Sequence, residues 1–109
     1  MKLRLDRNTI RLRLDDADVA RLARGESLAH AIEFGPRPED RFTYELKLDD
    51  ACIEMTARVE DRRIVIGMPR SLAVDWAEGA EIGLEGGQFV DGDRMLGVLV
   101  EKDLRCPTC

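Results

Sequence analysis

KLRLDRNTIRLRL, residues Lys2 to Leu14, places an apolar side chain at every second position on either side of a polar interruption. Leu3 and Leu5 alternate with Lys2 and Arg4; after Asp6-Arg7-Asn8, Ile10, Leu12 and Leu14 alternate with Arg11 and Arg13. Two is the side-chain period of an extended strand, so the stretch predicts a two-stranded hairpin with one buried face. The same pattern returns in TARVEDRRIVIGM, residues Thr56 to Met68, around Asp61-Arg62.

A shift of 54 residues, which carries Ile10 onto Ile64, aligns the two halves of the chain without a gap. It matches Met1 with Met55, Arg4 with Arg58, Ala23 with Ala77, Gly25 with Gly79, Asp49 with Asp103 and Cys52 with Cys106. Hydrophobic register is the stronger warrant: Leu12/Ile66, Leu14/Met68, Leu22/Trp76, Leu28/Ile82, Phe42/Leu96 and Tyr44/Val98 all pair apolar with apolar. Self-similarity at such a period marks a repeated supersecondary unit. The chain therefore reads as one domain made of two copies, 1–54 and 55–109.

Each copy carries the same further signals. Asp15 or Asp16 can cap a short helix on which Val19, Leu22 and Ala23 share a face, and Gly25 supplies the left-handed stop. In the second copy Pro69 or Ser71 opens the helix, Ala73, Trp76 and Ala77 face inward, and Gly79 ends it. Two strands then follow, Leu28 to Phe34 and Phe42 to Leu48, joined by GPRPED; their counterparts are joined by GGQFVDGD, read as a loop from its glycines and aspartates. The expected fold is α+β: a ββαββ unit in tandem, forming a mainly antiparallel eight-stranded sheet or barrel with two short helices. Its predicted core is Leu12, Leu14, Leu22, Ile32, Phe42, Tyr44, Ile64, Ile66, Trp76, Ile82 and Val98.

Composition bounds the function. The chain has 109 residues, 36% charged and 44% hydrophobic, a globular balance with a highly charged exterior. With 17 basic against 22 acidic residues and a net charge of -5, it lacks a domain-wide electrostatic footprint for nucleic acid or an anionic membrane. The basic opening stretch has no apolar segment of the kind found in secretory signals, and no apolar run approaches bilayer-spanning length. Three cysteines are sparse for a disulfide scaffold and fit a reducing compartment. These features predict a cytoplasmic protein whose partner is another protein or a small ligand, and they leave the oligomeric state open.

No phosphate-binding glycine loop, nucleophile elbow or HExxH occurs, and there is one histidine. The expectation is a non-catalytic binding or interaction domain, with GPRPED and GGQFVDGD as a recognition edge. Lys2, Arg4, Arg11 and Arg13 fall on one face of the first hairpin, where like charges opposite each other are unfavourable unless something intervenes. An acid on a neighbouring strand, such as Glu45, Glu54 or Glu60, is one answer, and a bound polyanion is the other. Were that face to turn into a barrel, the four cations would line a tunnel similar in outline to the triphosphate-tunnel enzymes. The ExExK strand of those enzymes has no counterpart in KLRLD.

Cys106-Pro107-Thr108-Cys109 has the CxxC spacing of a zinc or copper site or of a redox pair. A metal site at these thiols would draw on His30 or Cys52 for a further ligand; the competing reading makes Cys52 and Cys106 small apolar side chains at strand ends. His30, between Leu28 and Ile32 in the apolar phase of its strand, reads as a buried or rim histidine with a hydrogen-bonding partner, or as a ligand or base at a barrel mouth.

MKLRLDRNTIRLRL at the start, WAEGAEIGLEG in the middle and LVEKDLRC near the end together resemble a family of small bacterial proteins described as a domain of unknown function. The likeness covers most of the chain and implies no activity, substrate or catalytic residue. Leu104 stands where members carry Phe, and Cys109 is not expected to be general, which sets the family apart from a CxxC role.

Overall fold

The computed structural model of the chain describes residues 1–103. Its elements run β1 (Lys2–Asp6), β2 (Thr9–Leu14), α1 (Asp16–Ala23), β3 (Leu28–Glu33), β4 (Arg41–Leu48), β5 (Thr56–Glu60), β6 (Arg63–Met68), α2 (Arg70–Glu78), β7 (Gly83–Asp91) and β8 (Arg94–Lys102), with one 3-10 turn at Pro38–Asp40.

Both predicted hairpins form, with Leu3 opposite Leu12 and Leu5 opposite Ile10 in one and Ala57 opposite Ile66 and Val59 opposite Ile64 in the other. Their two-residue turns differ. Arg7 alone has positive φ in the first, at 54°, whereas Asp61 and Arg62 both do in the second, at 45° and 59°. Two left-handed central residues match the right-handed twist of the flanking strands. α1 begins with reciprocal capping: the Asp18 backbone N–H donates to Asp15 Oδ1 at 2.9 Å, and the Asp15 N–H donates to Asp18 Oδ2 at 3.4 Å. It stops at Gly25, whose φ of 80° is the left-handed conformation expected there. α2 starts after Pro69 with no side-chain cap and ends at Gly79 in extended backbone.

The eight strands are distributed in a way the hydrophobic pattern does not reveal. The first sheet has the order β1-β2-β8-β7 and the second β3-β4-β6-β5, so each sheet takes one hairpin from each half of the chain. The two helices make the exchange: α1 leads from β2 in the first sheet to β3 in the second, and α2 leads from β6 back to β7. In each sheet the hairpins join through a central parallel pair, β2 with β8 and β4 with β6. Adding 54 to Thr9 and subtracting 54 from Gly97 turns the pair Thr9–Gly97 into Arg63–Thr43, and the remaining pairs of the two parallel ladders correspond in the same way.

The architecture is α+β, with two four-stranded mixed sheets in place of one mainly antiparallel eight-stranded sheet or barrel. Side chains occupy the seams where closure would need backbone pairing. At the β5/β7 seam the Gln88 amide reaches across, Oε1 accepting from the Ala57 N–H at 2.9 Å and Nε2 donating to the Ala57 carbonyl at 2.8 Å. Near β1, the Tyr44 hydroxyl donates to the Met1 carbonyl at 3.0 Å. The buried Met1 ammonium lies 2.6 Å from Asp18 Oδ2.

Between the sheets and the paired helices lie Leu12, Leu14, Leu22, Leu28, Leu46, Ile66, Met68, Trp76 and Val100. Phe42 and Tyr44, expected in the core, pack against it half-buried. Ile32 and Ile82 are corrections, at 45% and 50% exposed. Ile32 lies on the edge strand β3, with no strand beyond it to cover its outer side. Ile82 fails because β7 is offset: Leu28 opposes Leu46, but Leu84, not Ile82, opposes Val100, the counterpart of Leu46. The link from α2 to β7 is thus two residues longer than the ungapped alignment supposes. GGQFVDGD is also corrected: Gly86–Asp91 continues β7 through a bulge between Phe89 and Asp91, leaving Gly92-Asp93 as the turn. Among the described residues no helix is long and apolar enough to cross a membrane.

Candidate functional site

Alternation turns Leu3, Leu12 and Leu14 toward the core, which obliges Lys2, Arg4, Arg11 and Arg13 to project from the other face of the first sheet. The ladders then fix their neighbours. One row across β1, β2, β8 and β7 reads Lys2, Arg13, Glu101, Gly83; the next reads Arg4, Arg11, Leu99, Glu85; the third reads Asp6, Thr9, Gly97, Gly87. All four sequence-predicted cations are therefore brought together, as two like-charged cross-strand pairs. They face away from the core, so the condition for a cationic tunnel is not met.

The acids that answer them come from β8 and the residue just after it, not from Glu45, Glu54 or Glu60. Glu101 Oε1 accepts from Arg13 Nη2 at 2.9 Å and Nε at 3.1 Å and lies 3.6 Å from Arg11 Nε, while Asp103 is 3.8 Å from Lys2 Nζ. One carboxylate is thus shared by two guanidinium groups. Among the described residues Arg4 has no ion-pair partner within 4.0 Å.

Arg4 and Arg11 form one wall of a groove of about 320 Å³ on this face, within the size range of small-molecule sites. Asp6 and Glu85 carry negative charge along it, and Leu99 with the backbone of Gly86 and Gly97 forms its floor. The floor stays low at Gly97, which has no side chain on this face. A Cβ there would meet Thr9 Cγ2 at 3.2 Å. Two neighbouring guanidinium groups over such a floor can grip a carboxylate or phosphate with paired N–H donors, and Glu85 on the far strand opposes a second negative group there.

The metal candidates are differently placed. His30 is exposed on β3 and its ring lies 5.8 Å from that of Tyr44, not within the core. Cys52, half-buried, lies between β4 and β5 with Sγ 3.7 Å from Thr56 Oγ1. Among the described residues no three His, Cys, Asp or Glu side chains form a metal-sized cluster. Cys106 and Cys109 lie outside the described residues.

Sequence reasoning missed a second concavity, of about 340 Å³, beside α2. Leu72, Trp76 and Leu84 supply apolar walls, and Asp75, Gly79, Ala80 and Glu81 complete the lining. Its only sequence signal is the change from Leu22 to Trp76 between the halves.

A family model matches residues 1–108, and the chain belongs to that family, a family of unknown function (DUF7009). No curated protein and no solved structure matches it.

Proposed function

We propose that this member of the family is a non-catalytic binding module, built from two copies of one unit, that holds a ligand with an anionic group in the groove on the first sheet. One observation carries the reading: Arg4 stands directly opposite Arg11, and among the described residues the one acid within 4.0 Å of Arg11 is already shared with Arg13. Like charges placed opposite each other across a strand pair are destabilising. A bound carboxylate or phosphate supplies the missing counter-charge, and Glu85 selects for a compact anion or for one whose far end is neutral or positive. The chain's net charge of -5 works against diffuse anion binding, so an anion that binds does so through local geometry.

The test is isothermal titration and thermal unfolding with inorganic pyrophosphate and with citrate at constant ionic strength. The wild-type chain takes up at least one of them and gains thermal stability as ligand rises above its dissociation constant. Arg4→Gln, an exposed change that leaves the core untouched, weakens the uptake by about tenfold or more, the scale of losing hydrogen bonds to a charged group. Affinity equal to that of wild type in Arg4→Gln and in Arg4→Gln/Arg11→Gln overturns the site, and absence of uptake of both anions overturns the ligand class.

A further inference from the structure

We infer that the groove on the first sheet selects a zwitterion: a small molecule whose carboxylate meets Arg4 and Arg11 and whose ammonium meets Glu85, with an apolar spacer between them. The inference rests on the anion-binding reading of this groove and names the class of ligand. The two sheets answer their arginines differently. In the second sheet the acid is Glu45 on β4, next to β6, and its carboxylate lies 3.3 Å from the Arg63 guanidinium. A shift of 54 carries Glu45 onto Leu99, so the first sheet has a leucine where the second has its acid. The acid of that row stands one strand further out: Glu85 opposes Leu99 on β7, where Ala29 opposes Glu45 on β3.

This displacement keeps the charges apart. Two strand spacings, about 10 Å, separate the backbones of Arg11 and Glu85, and the half-buried Leu99 stands between them in the same row. Arg4 and Glu85 both line the groove, and among the described residues neither side chain has an ion-pair partner within 4.0 Å. Opposite charges are therefore held on one concave surface without reaching each other, over an apolar bed. A simple anion satisfies the guanidinium pair and leaves Glu85 unanswered, and a second negative group there is repelled. A molecule with a carboxylate at one end and an ammonium at the other satisfies both walls and lays its carbon chain over Leu99. Asp6 lines the groove too, but it follows Arg4 along β1 in the next row, where the neighbouring strands offer Thr9 and Gly97 in place of the leucine. Glu85 is accordingly the partner assigned to the ammonium.

Three probes separate the possibilities: 6-aminohexanoate carries both charges at opposite ends of its chain, hexanoate lacks the ammonium, and glycine holds its charges too close together to reach both walls. Affinities are read from saturable backbone amide shifts at Leu99 and Glu85, at constant low ionic strength so that exposed charges are not screened. The wild-type chain binds 6-aminohexanoate about fivefold more tightly than hexanoate, the upper end for one exposed ion pair, and more tightly than glycine. Glu85→Gln, an exposed change, abolishes that preference without weakening hexanoate; Asp6→Asn keeps it; Arg4→Gln weakens both ligands. Equal wild-type affinity for 6-aminohexanoate and hexanoate, or a preference that survives Glu85→Gln, overturns the inference and leaves the anion reading standing. Failure of both probes to bind while pyrophosphate or citrate still does has the same meaning. If no anion binds at all, the anion reading falls and this inference falls with it.

Discussion

The outer faces of the two sheets share backbone pairing and differ in what they present to solvent. In the second sheet the row that matches Arg4, Arg11, Leu99 and Glu85 is Arg58, Val65, Glu45 and Ala29, and the row beyond it is Glu60, Arg63, Thr43 and Ala31. There the charges are answered locally. Arg58 lies 3.3 Å from Glu60 and Arg63 lies 3.3 Å from Glu45, and Val65 is buried where the first sheet exposes part of Arg11. In the first sheet two arginines stand opposed, and Gly97 replaces Thr43 on the floor. A groove that the fold itself imposed would occur in both sheets. It is instead the work of a few side chains at one of two matched places, and such side chains are where ligand recognition resides.

The strongest way to sharpen the comparison is through the inner faces, where the sheets should behave alike. Leu12→Ala and Ile66→Ala, at matched buried positions, should each cost about 2–5 kcal/mol in urea unfolding. If one proves near neutral, the inner faces are not equivalent. The seams should differ: Gln88→Ala leaves the buried Ala57 N–H and carbonyl without their partner and should cost about 1–3 kcal/mol, whereas Tyr44→Phe loses one hydroxyl bond and should cost about 0.5–1.5 kcal/mol. The reverse order would mean that the amide bridge is not what holds β5 to β7. Asp61→Asn with Arg62→Gly relieves two left-handed residues and should stabilise by about 1 kcal/mol, more than Arg7→Gly, which relieves one. An equal gain from the two turns would contradict the dihedral difference between them.

The smallest expected effect concerns pH. The Asp18 backbone N–H donates to the Asp15 carboxylate and holds its pKa below the ordinary aspartate range, and Arg24 and then Arg21 do the same for Glu26. A folded-state pKa below the unfolded value gives a contribution that is present above the unfolded pKa, near 4, and is lost as pH falls through the folded one. α2, capped at Pro69, has no such group at its start. Thermal unfolding followed from pH 6 to pH 3 should show a slightly shallower loss of stability in Asp15→Asn than in wild type. Parallel curves would show that the cap carboxylate does not contribute.

Much of the fold was legible because alternation is a local signal. Leu12, Leu14, Ile64 and Ile66 announced the inner faces, and Asp15 and Gly25 announced the ends of α1. Exchange of hairpins between sheets was not legible, since a strand with one apolar face shows the same pattern whichever neighbour it pairs with. Nor was the offset of β7 legible: Ile82 and Leu84 have the same parity, so a period of two cannot choose between them. Glycine misled at residues 86–91, where Gly86 makes room for Met55 within a strand. Of the groove, the arginine face was readable from KLRLDRNTIRLRL, but Leu99, Glu85 and Glu101 reach it only through pairing with β8 and β7.

The claim on which the account turns is that the Arg4–Arg11 face binds an anion and the matched face does not. Backbone amide shifts during titration with inorganic pyrophosphate test it most directly. The account predicts saturable movement at Arg4, Arg11, Gly97 and Leu99 with little at Arg58, Val65, Thr43 and Glu45; comparable movement on both faces, or none on the first, would contradict it.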